Sequence, residues 1–148
     1  MKISTKGRYG LRAMMDLATH GSGHSPVYLS DIAKRQEISD KYLEHIFAAL
    51  HKAGLVKSLR GRKGGYLLNK MPSDITLDQI LAALEGPCQL VDCVSDTRAC
   101  ARTETCATRE LWTLLGTRIE ETLKGFTLAS LAERQKEKIN QEPIMYSI

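Results

Sequence analysis

The sequence predicts a mainly α-helical fold, a winged helix-turn-helix with a long C-terminal helix. Apolar residues recur at helical spacing along most of the chain, which indicates amphipathic helices. Two short apolar stretches around a glycine-rich turn are the exception, and they predict one hairpin. This hairpin directly follows two helices joined by a tight turn, and the combination is more specific than either half.

Composition is that of an ordinary globular protein. The chain has 148 residues, 43% of them hydrophobic and 26% charged, which suits one domain or a small domain with a helical extension. No apolar run approaches the roughly 20 residues of a membrane span, and the N-terminal segment does not have the pattern of a signal peptide. We therefore expect a cytoplasmic location and no membrane partner. Clustered cysteines in that compartment more often bind metal or do redox work than form disulfides.

Charge is distributed unevenly along the chain. Residues 1–70 contain 13 lysines and arginines against 5 acidic residues, whereas residues 71–148 contain 8 against 12. A basic head joined to an acidic body indicates that the head binds a polyanion, although chance segregation of solvated charges gives the same pattern.

The first two predicted helices precede the tight turn. Ser4 or Thr5 can cap a helix that runs to about Thr19, and glycine, serine and proline mark the loop after it. Ser30 can cap a short second helix that ends near Gln36.

The third predicted helix has one apolar and one basic face. Ser39 or Asp40 can cap it, it runs to about Ala53, and Gly54 follows where a helix commonly ends. Its apolar stripe has i, i+3, i+4, i+7 spacing: Leu43, Ile46, Phe47 and Leu50. The opposite face is basic and short-chained: Lys41, His45, Ala48 and Lys52. Such a face can approach another surface closely, although a solvated helical hairpin has the same pattern.

The hairpin carries positive charge at its tip. Residues 55–59 and 66–68 are predicted strands, and the turn between them bears Arg60, Arg62 and Lys63 among glycines. Glycines let the backbone come close to a partner, and the cations can contact phosphates or enter a minor groove. A nucleotide-binding phosphate loop is disfavoured, because its Gly-Lys-Ser/Thr ending is missing and a strand follows.

A long amphipathic helix is predicted after the cysteines. A shorter helix from about Thr76 to Glu85 precedes them, and the long one runs from Glu104 to about Lys124. Its apolar stripe comprises Leu111, Leu115, Ile119 and Leu123, broadened by Trp112 and Leu114. We expect a dimerisation helix that packs on its copy in a second subunit, with packing on its own domain as the alternative. Thr127 can cap a last helix, and the tail after residue 140 should be loose.

All the cysteines lie in one polar segment, separated by four, six and five residues: Cys88, Cys93, Cys100 and Cys106. Structural zinc usually takes closely paired cysteines, and no Cys-x-x-Cys occurs. A thiol switch or disulfide suits the nearby Arg98 and Arg102, which lower a thiol pKa. An iron–sulfur cluster accepts wide, irregular spacings. Spacing alone leaves these interpretations open, whereas four unrelated core cysteines are disfavoured because the segment is polar.

Three features carry a family resemblance: "KGRYGLRAMMDLA", "YLEHIFAALHKAGLVKSLRGRKGGYLL" and the last three cysteines. Together they resemble the Rrf2 family of bacterial winged-helix transcription regulators, and within it the IscR-like regulators, over about residues 1–135. The resemblance implies a homodimer that binds a double-stranded DNA operator. It also implies an iron–sulfur cluster, 2Fe–2S by likeness, with 4Fe–4S as the alternative.

The resemblance further implies which residues act. DNA contacts are expected from the recognition helix and the wing, and the charged tip adds two more: Ser39, Lys41, Tyr42, Glu44, His45, Arg60, Arg62 and Lys63. Cluster ligands are expected at Cys93, Cys100 and Cys106.

This chain departs from the family pattern around the cluster. Six residues separate its first two matching cysteines, where five are usual. Arg109 stands where IscR-like members place a histidine ligand, and Arg8 stands where a nitric-oxide-sensing relative uses an acidic residue. The fourth ligand stays open, with Cys88 the softest candidate and several carboxylates as others: Asp92, Asp96, Glu104 and Glu44.

The sequence thus predicts an iron–sulfur cluster-dependent transcription regulator that senses iron–sulfur, redox or nitric-oxide status. The alternative within this fold is a cluster-free regulator that senses thiol state or a small molecule. A thiol-redox enzyme is disfavoured, because no Cys-x-x-Cys occurs and all the histidines lie in the head. We expect a DNA-binding head at 1–72, a helix and cluster loop at 73–103, and a dimerisation and C-terminal helical part at 104–140.

Overall fold

The computed structural model describes residues 3–21, 25–61 and 65–141, and it confirms the predicted fold class of a helical chain with one two-stranded sheet. The described elements are α1 (Thr5–His20), α2 (Leu29–Gln36), α3 (Asp40–Lys52), β1 (Val56–Leu59), β2 (Gly65–Leu68), α4 (Leu77–Glu85), α5 (Asp92–Ser95), α6 (Ala107–Lys124) and α7 (Leu128–Gln141). Short 3₁₀ turns span Pro72–Asp74 and Thr97–Ala99. The tip of the hairpin at 62–64 and the tail at 142–148 lie outside the described residues.

Serine caps fix the starts of α1 and α3, as predicted. The Ser4 hydroxyl accepts a hydrogen bond from the Gly7 amide at 3.1 Å, and the Ser39 hydroxyl accepts one from the Tyr42 amide at 3.3 Å. Such a cap satisfies an amide that has no partner inside its helix, which is worth about 1 kcal/mol. The recognition helix therefore begins at a defined residue directly after the tight turn.

The predicted start of α2 at Ser30 is wrong. The helix begins one residue earlier, at Leu29, and Tyr28 is its N-cap residue. The reason is local: the Tyr28 carbonyl accepts the amides of Asp31 and Ile32 at 3.1 and 3.3 Å, so the first turn closes on it.

The apolar stripe of α3 lies at the centre of the core. Its members are fully buried: Leu43, Ile46, Phe47 and Leu50. They pack with Met14 and Leu17 of α1, while Ile80 of α4 and Leu128 of α7 join the same cluster. Each side chain of this size contributes roughly 1.5–3 kcal/mol when fully buried. The inward face of α3 is therefore fixed, and its opposite face must point to solvent.

The hairpin packs directly on α3. β1 and β2 pair antiparallel, with Val56 opposite Leu68. The Tyr66 ring lies 4.6 Å from the Phe47 ring, which joins the wing to the recognition helix. At Gly65 the backbone has φ +136°, and a Cβ there would lie 2.7 Å from the Val27 carbonyl oxygen. Only glycine fits this position, where the chain leaves the wing tip.

The start of α1 is joined to the end of α4. The Ser4 amide and hydroxyl donate to the Glu85 carboxylate at 3.0 and 2.9 Å. One turn further, α1 approaches so closely that a Cβ on Gly10 would lie 2.2 Å from Leu84. Gly86 follows with φ +86° and turns the chain into the cysteine segment. The head and the cysteine segment are thus mechanically adjacent.

Candidate nucleic-acid interface and cysteine loop

The outer face of α3 is exposed, as the stripe requires. Lys41, Glu44 and His45 all lie on the surface. Tyr42 is half-buried, because its ring packs edge-on against Tyr9 of α1, with 6.0 Å between centroids and 87° between planes. Predicted polar side chains thus share one exposed face at the start of a helix, the arrangement that a recognition helix uses in a major groove.

The described part of the wing adds cations beside this face. Arg60 directly follows β1 and is exposed, and Lys57 of β1 is exposed as well. Arg62 and Lys63 lie outside the described residues. The wing and α3 share the Phe47–Tyr66 contact, so Arg60 is held at a fixed side of the recognition helix.

A buried ionic network that the sequence analysis missed lies behind the interface. The Asp16 side chain is fully buried, and the Arg35 guanidinium donates to both of its oxygens at 2.6–3.2 Å. Gln36 also donates to it, at 2.9 Å. Burial raises the pKa of Asp16, but the hydrogen bonds and positive charge of its partners outweigh burial and leave the pKa below its usual value. One sequence signal was available: an acidic residue within an apolar helical segment, "MMDLA".

The cysteine loop (residues 86–106) folds back on itself. The Thr103 side chain is buried, and its hydroxyl contacts the carbonyl oxygens of Thr97, at 2.9 Å, and of Cys100. Arg109 of α6 donates through Nε to the Cys93 carbonyl at 2.9 Å. These bonds give the loop a defined shape and attach its middle to the first turn of α6.

The predicted start of the long helix at Glu104 is wrong. The helix begins at Ala107, with Cys106 as its N-cap residue. The hydrogen bonds of Thr103 hold the preceding residues in a turn, so the helix cannot extend through them.

Cys106 has the most activated thiol of the loop. Its Sγ lies 3.1 Å from the Thr108 hydroxyl, and all the cysteines are free. Hydrogen bonds from the Thr108 hydroxyl and from the amides of Arg109 and Thr108, together with the charge of Arg102, lower the pKa of Cys106. A thiolate is the form that ligates metal or attacks an electrophile.

The donor set fits an iron–sulfur cluster in chemistry, but the loop shape does not yet bring it together. Cys93 and Cys106 are half-buried and Cys100 is exposed, so all three are reachable. Within the described residues, no group of three or more histidine, cysteine, aspartate or glutamate side chains is arranged to hold a metal. Arg109 is engaged with a carbonyl, and Asp96 is paired with Arg98 at 3.1 Å. Convergence of the thiols requires the loop to close.

The stripe of α6 divides into two halves. Leu123 packs against the core and Ile119 is half-buried, whereas the first half is open to solvent. Three leucines of the first half have exposed fractions of 40–54%: Leu111, Leu114 and Leu115. The helix therefore packs on its own domain at one end and presents an apolar surface at the other. No helix in the described part of the chain is long and apolar enough to cross a membrane.

Comparisons with known proteins agree with this geometry. Residues 3–134 match the model of a family described as "Rrf2: Iron-dependent Transcriptional regulator". The HTH-type transcriptional regulator IscR of Erwinia tasmaniensis is 41% identical over 136 residues, which cover 92% of this chain and 81% of that protein. The solved structure of CymR, the global cysteine regulator of B. subtilis, superposes with a TM-score of 0.75 at 42% identity, covering 90% of this chain and 98% of that one. The solved T. potens IscR gives 0.75 at 41% identity, covering 93% and 90%.

Proposed function

This chain belongs to the Rrf2 family of DNA-binding transcription regulators, and from that premise we propose that it regulates transcription in response to iron–sulfur cluster status. The observation that carries the proposal is the position of Cys93, Cys100 and Cys106 on one accessible loop that is attached at both ends to structural helices. We place this activity in the cytoplasm and assign the protein no enzymatic role.

DNA recognition is proposed to use α3 and the wing of each subunit in a homodimer. Two α3 helices would enter successive major grooves, about one helical turn apart. Lys41 and His45 can donate to phosphates or bases, and Glu44 can accept from the amino group of cytosine. Arg60 can hold a phosphate beside the groove.

Dimerisation is proposed to occur through the open half of α6. Single exposed leucines are common on protein surfaces, but three on one helix form a contiguous apolar patch that a partner can cover. A second copy of α6 presents the same patch, so a two-fold interface is self-complementary. This arrangement places the two cysteine loops close to the subunit interface, because the loop ends where α6 begins.

The loop is proposed to communicate with the head through both of its ends. When bound, an iron–sulfur cluster supplies a link between the thiolates that iron supply and oxidants can remove. The chain itself determines where that change is felt. Arg109 ties the middle of the loop to α6, and the Glu85–Ser4 bonds tie its beginning to α1 of the head. Closure of the loop therefore acts on the helix that spaces the heads and on the head itself, and affinity for DNA changes if the two loop shapes bind DNA differently.

A cluster-free thiol sensor is the second candidate. The lowered pKa of Cys106 favours it, because a thiolate that is already formed can react without a metal. The likeness to CymR, a cysteine regulator by its name, supports the same candidate.

Cys100→Ala is expected to abolish cluster loading while leaving the fold intact, because an exposed loop side chain contributes little to the core. The measurement is iron and sulfide content with the visible absorption spectrum, on protein purified without oxygen. Cys88→Ala is the matched variant: it should keep its iron unless Cys88 is the fourth ligand. Full iron content in Cys100→Ala would refute the assignment. Colourless wild-type protein that resists reconstitution would shift the function to thiol sensing.

Arg60→Ala is expected to weaken operator binding and to lower the slope of log affinity against log salt by about 0.9, the value for one lost phosphate contact. Binding titrations at several salt concentrations provide the slope. Lys138→Ala, which removes the same charge from an exposed position of α7, is the control and should behave as wild type. An unchanged slope in Arg60→Ala would show that the wing does not touch phosphate.

A further inference from the structure

Behind the proposed interface, we propose that Arg12 of α1 is a positioning residue that sets the orientation of the recognition helix. The inference rests on the proposed role of α3 in DNA recognition. Arg12 lies outside the predicted DNA-contacting set, and its contacts lead to both sides of the helix-turn-helix turn.

On the near side of the turn, Arg12 holds the last residue of α2. Its Nη2 donates to the Gln36 carbonyl at 2.7 Å, and its Nε donates to the Gln36 side-chain oxygen at 3.1 Å. The Gln36 amide in turn donates to the buried Asp16 carboxylate at 2.9 Å. The carbonyl at the end of α2 would otherwise have to find water, so the guanidinium both satisfies it and fixes its direction.

On the far side of the turn, Arg12 supports the first turn of α3. Its guanidinium carbon lies 5.6 Å from the centre of the Tyr9 ring, within cation–π range. The Tyr9 ring meets the Tyr42 ring edge-on at 6.0 Å. Tyr42 belongs to the first turn of α3, next to Lys41 and close to Glu44. One side chain thus connects the end of α2 to the start of α3.

The turn itself needs such a bracket. Only three residues separate the two helices, and Glu37 among them has φ 55°, a left-handed conformation that costs energy in a residue with a side chain. The stripe of α3 fixes its inward face, but the contacts of Arg12 and Tyr9 determine how its exposed first turn is presented. A planar fork that bonds a carbonyl and stacks on a ring is specific to arginine, and lysine cannot reproduce both.

A competing role is a direct phosphate contact, because Arg12 is exposed and lies on the basic head. The two roles predict different behaviour of Arg12→Lys. A phosphate contact survives the change because the charge remains, whereas the bracket is lost. Base recognition should then suffer while electrostatic attraction stays the same.

The experiment first selects a preferred duplex from a random DNA library with the wild-type protein. Affinity for that duplex and for an unrelated duplex of equal length is then measured against salt. We expect Arg12→Lys to lower the ratio of specific to non-specific affinity about tenfold, the cost of misplacing one base contact, with an unchanged salt slope. Arg8→Lys, one turn earlier, is the control: its guanidinium bonds only the nearby Thr5 hydroxyl, at 3.3 Å, and it should match wild type.

Tyr9→Leu is the second variant, because it removes the ring but no charge, and it decides the matter if Arg12→Lys does not fold. It should lower the same ratio. A normal ratio in every folded variant of this pair overturns the proposal. So does a normal ratio in Arg12→Lys combined with a lowered salt slope in Arg12→Ala, which identifies a phosphate contact. A wild-type protein that selects no sequence refutes the recognition role of α3 instead, so the two failures are distinguishable.

Discussion

Leu111→Asp combined with Leu115→Asp is expected to convert the protein to a monomer and to weaken operator binding by about 10²–10³-fold. The two leucines are 48% and 40% exposed and lie on the half of α6 that does not pack on its own domain. In a dimer two carboxylates per subunit would be buried without partners, which costs more than the interface can supply. A monomer loses the second half-site, and with it the gain that linked binding gives.

Sedimentation and DNA titration of the same sample test this prediction. The control is Thr113→Asp with Thr117→Asp, which adds the same charge to exposed positions on the opposite side of α6. It should remain a dimer with wild-type affinity. A dimeric leucine variant would show that subunits associate through another surface, and a monomeric control would show that α6 tolerates no added charge.

Local patterns were sufficient to predict the elements that carry recognition. The apolar spacing of Leu43, Ile46, Phe47 and Leu50 determined the buried face of α3, and the structure confirms every member. Ser39 was one of two expected caps because its hydroxyl can reach an amide three residues on, which is a property of the local backbone. Periodicity and capping depend on near neighbours, so they can be read without knowledge of the fold.

Contacts between distant elements could not be predicted in this way. Arg109 was recognised only as a missing ligand, whereas the structure shows it bonded to the Cys93 carbonyl, 16 residues earlier in the chain. The open half of α6 could not be distinguished from the packed half either, because Leu115 and Ile119 fit the same spacing. Only the position of α4 determines that Ile119 is half-buried while Leu115 faces solvent.

The same limit applies to the ionic network behind the interface, where a large effect on stability is expected. Asp16→Ala should lower the free energy of unfolding by about 2–3 kcal/mol at neutral pH. Removing one partner of a buried ion pair typically costs about 3–5 kcal/mol, and the lower value applies because the Arg35 side chain is 34% exposed and water partly screens it. Asp74→Ala, at an exposed carboxylate, is the control and should change stability by less than about 0.5 kcal/mol.

The effect of Asp16 should depend on pH in one direction. Its pKa is lower in the folded protein than in the unfolded chain, so the folded state favours the charged form. The stabilisation is therefore fully present above the unfolded pKa of about 3.9 and is lost as pH falls through the lower, folded pKa. Denaturant unfolding of wild type and Asp16→Ala across this range should show two stability curves that approach each other only in acid. Curves that stay parallel would mean that Asp16 stabilises the head by packing alone, and that its charge does not hold α2 against α1.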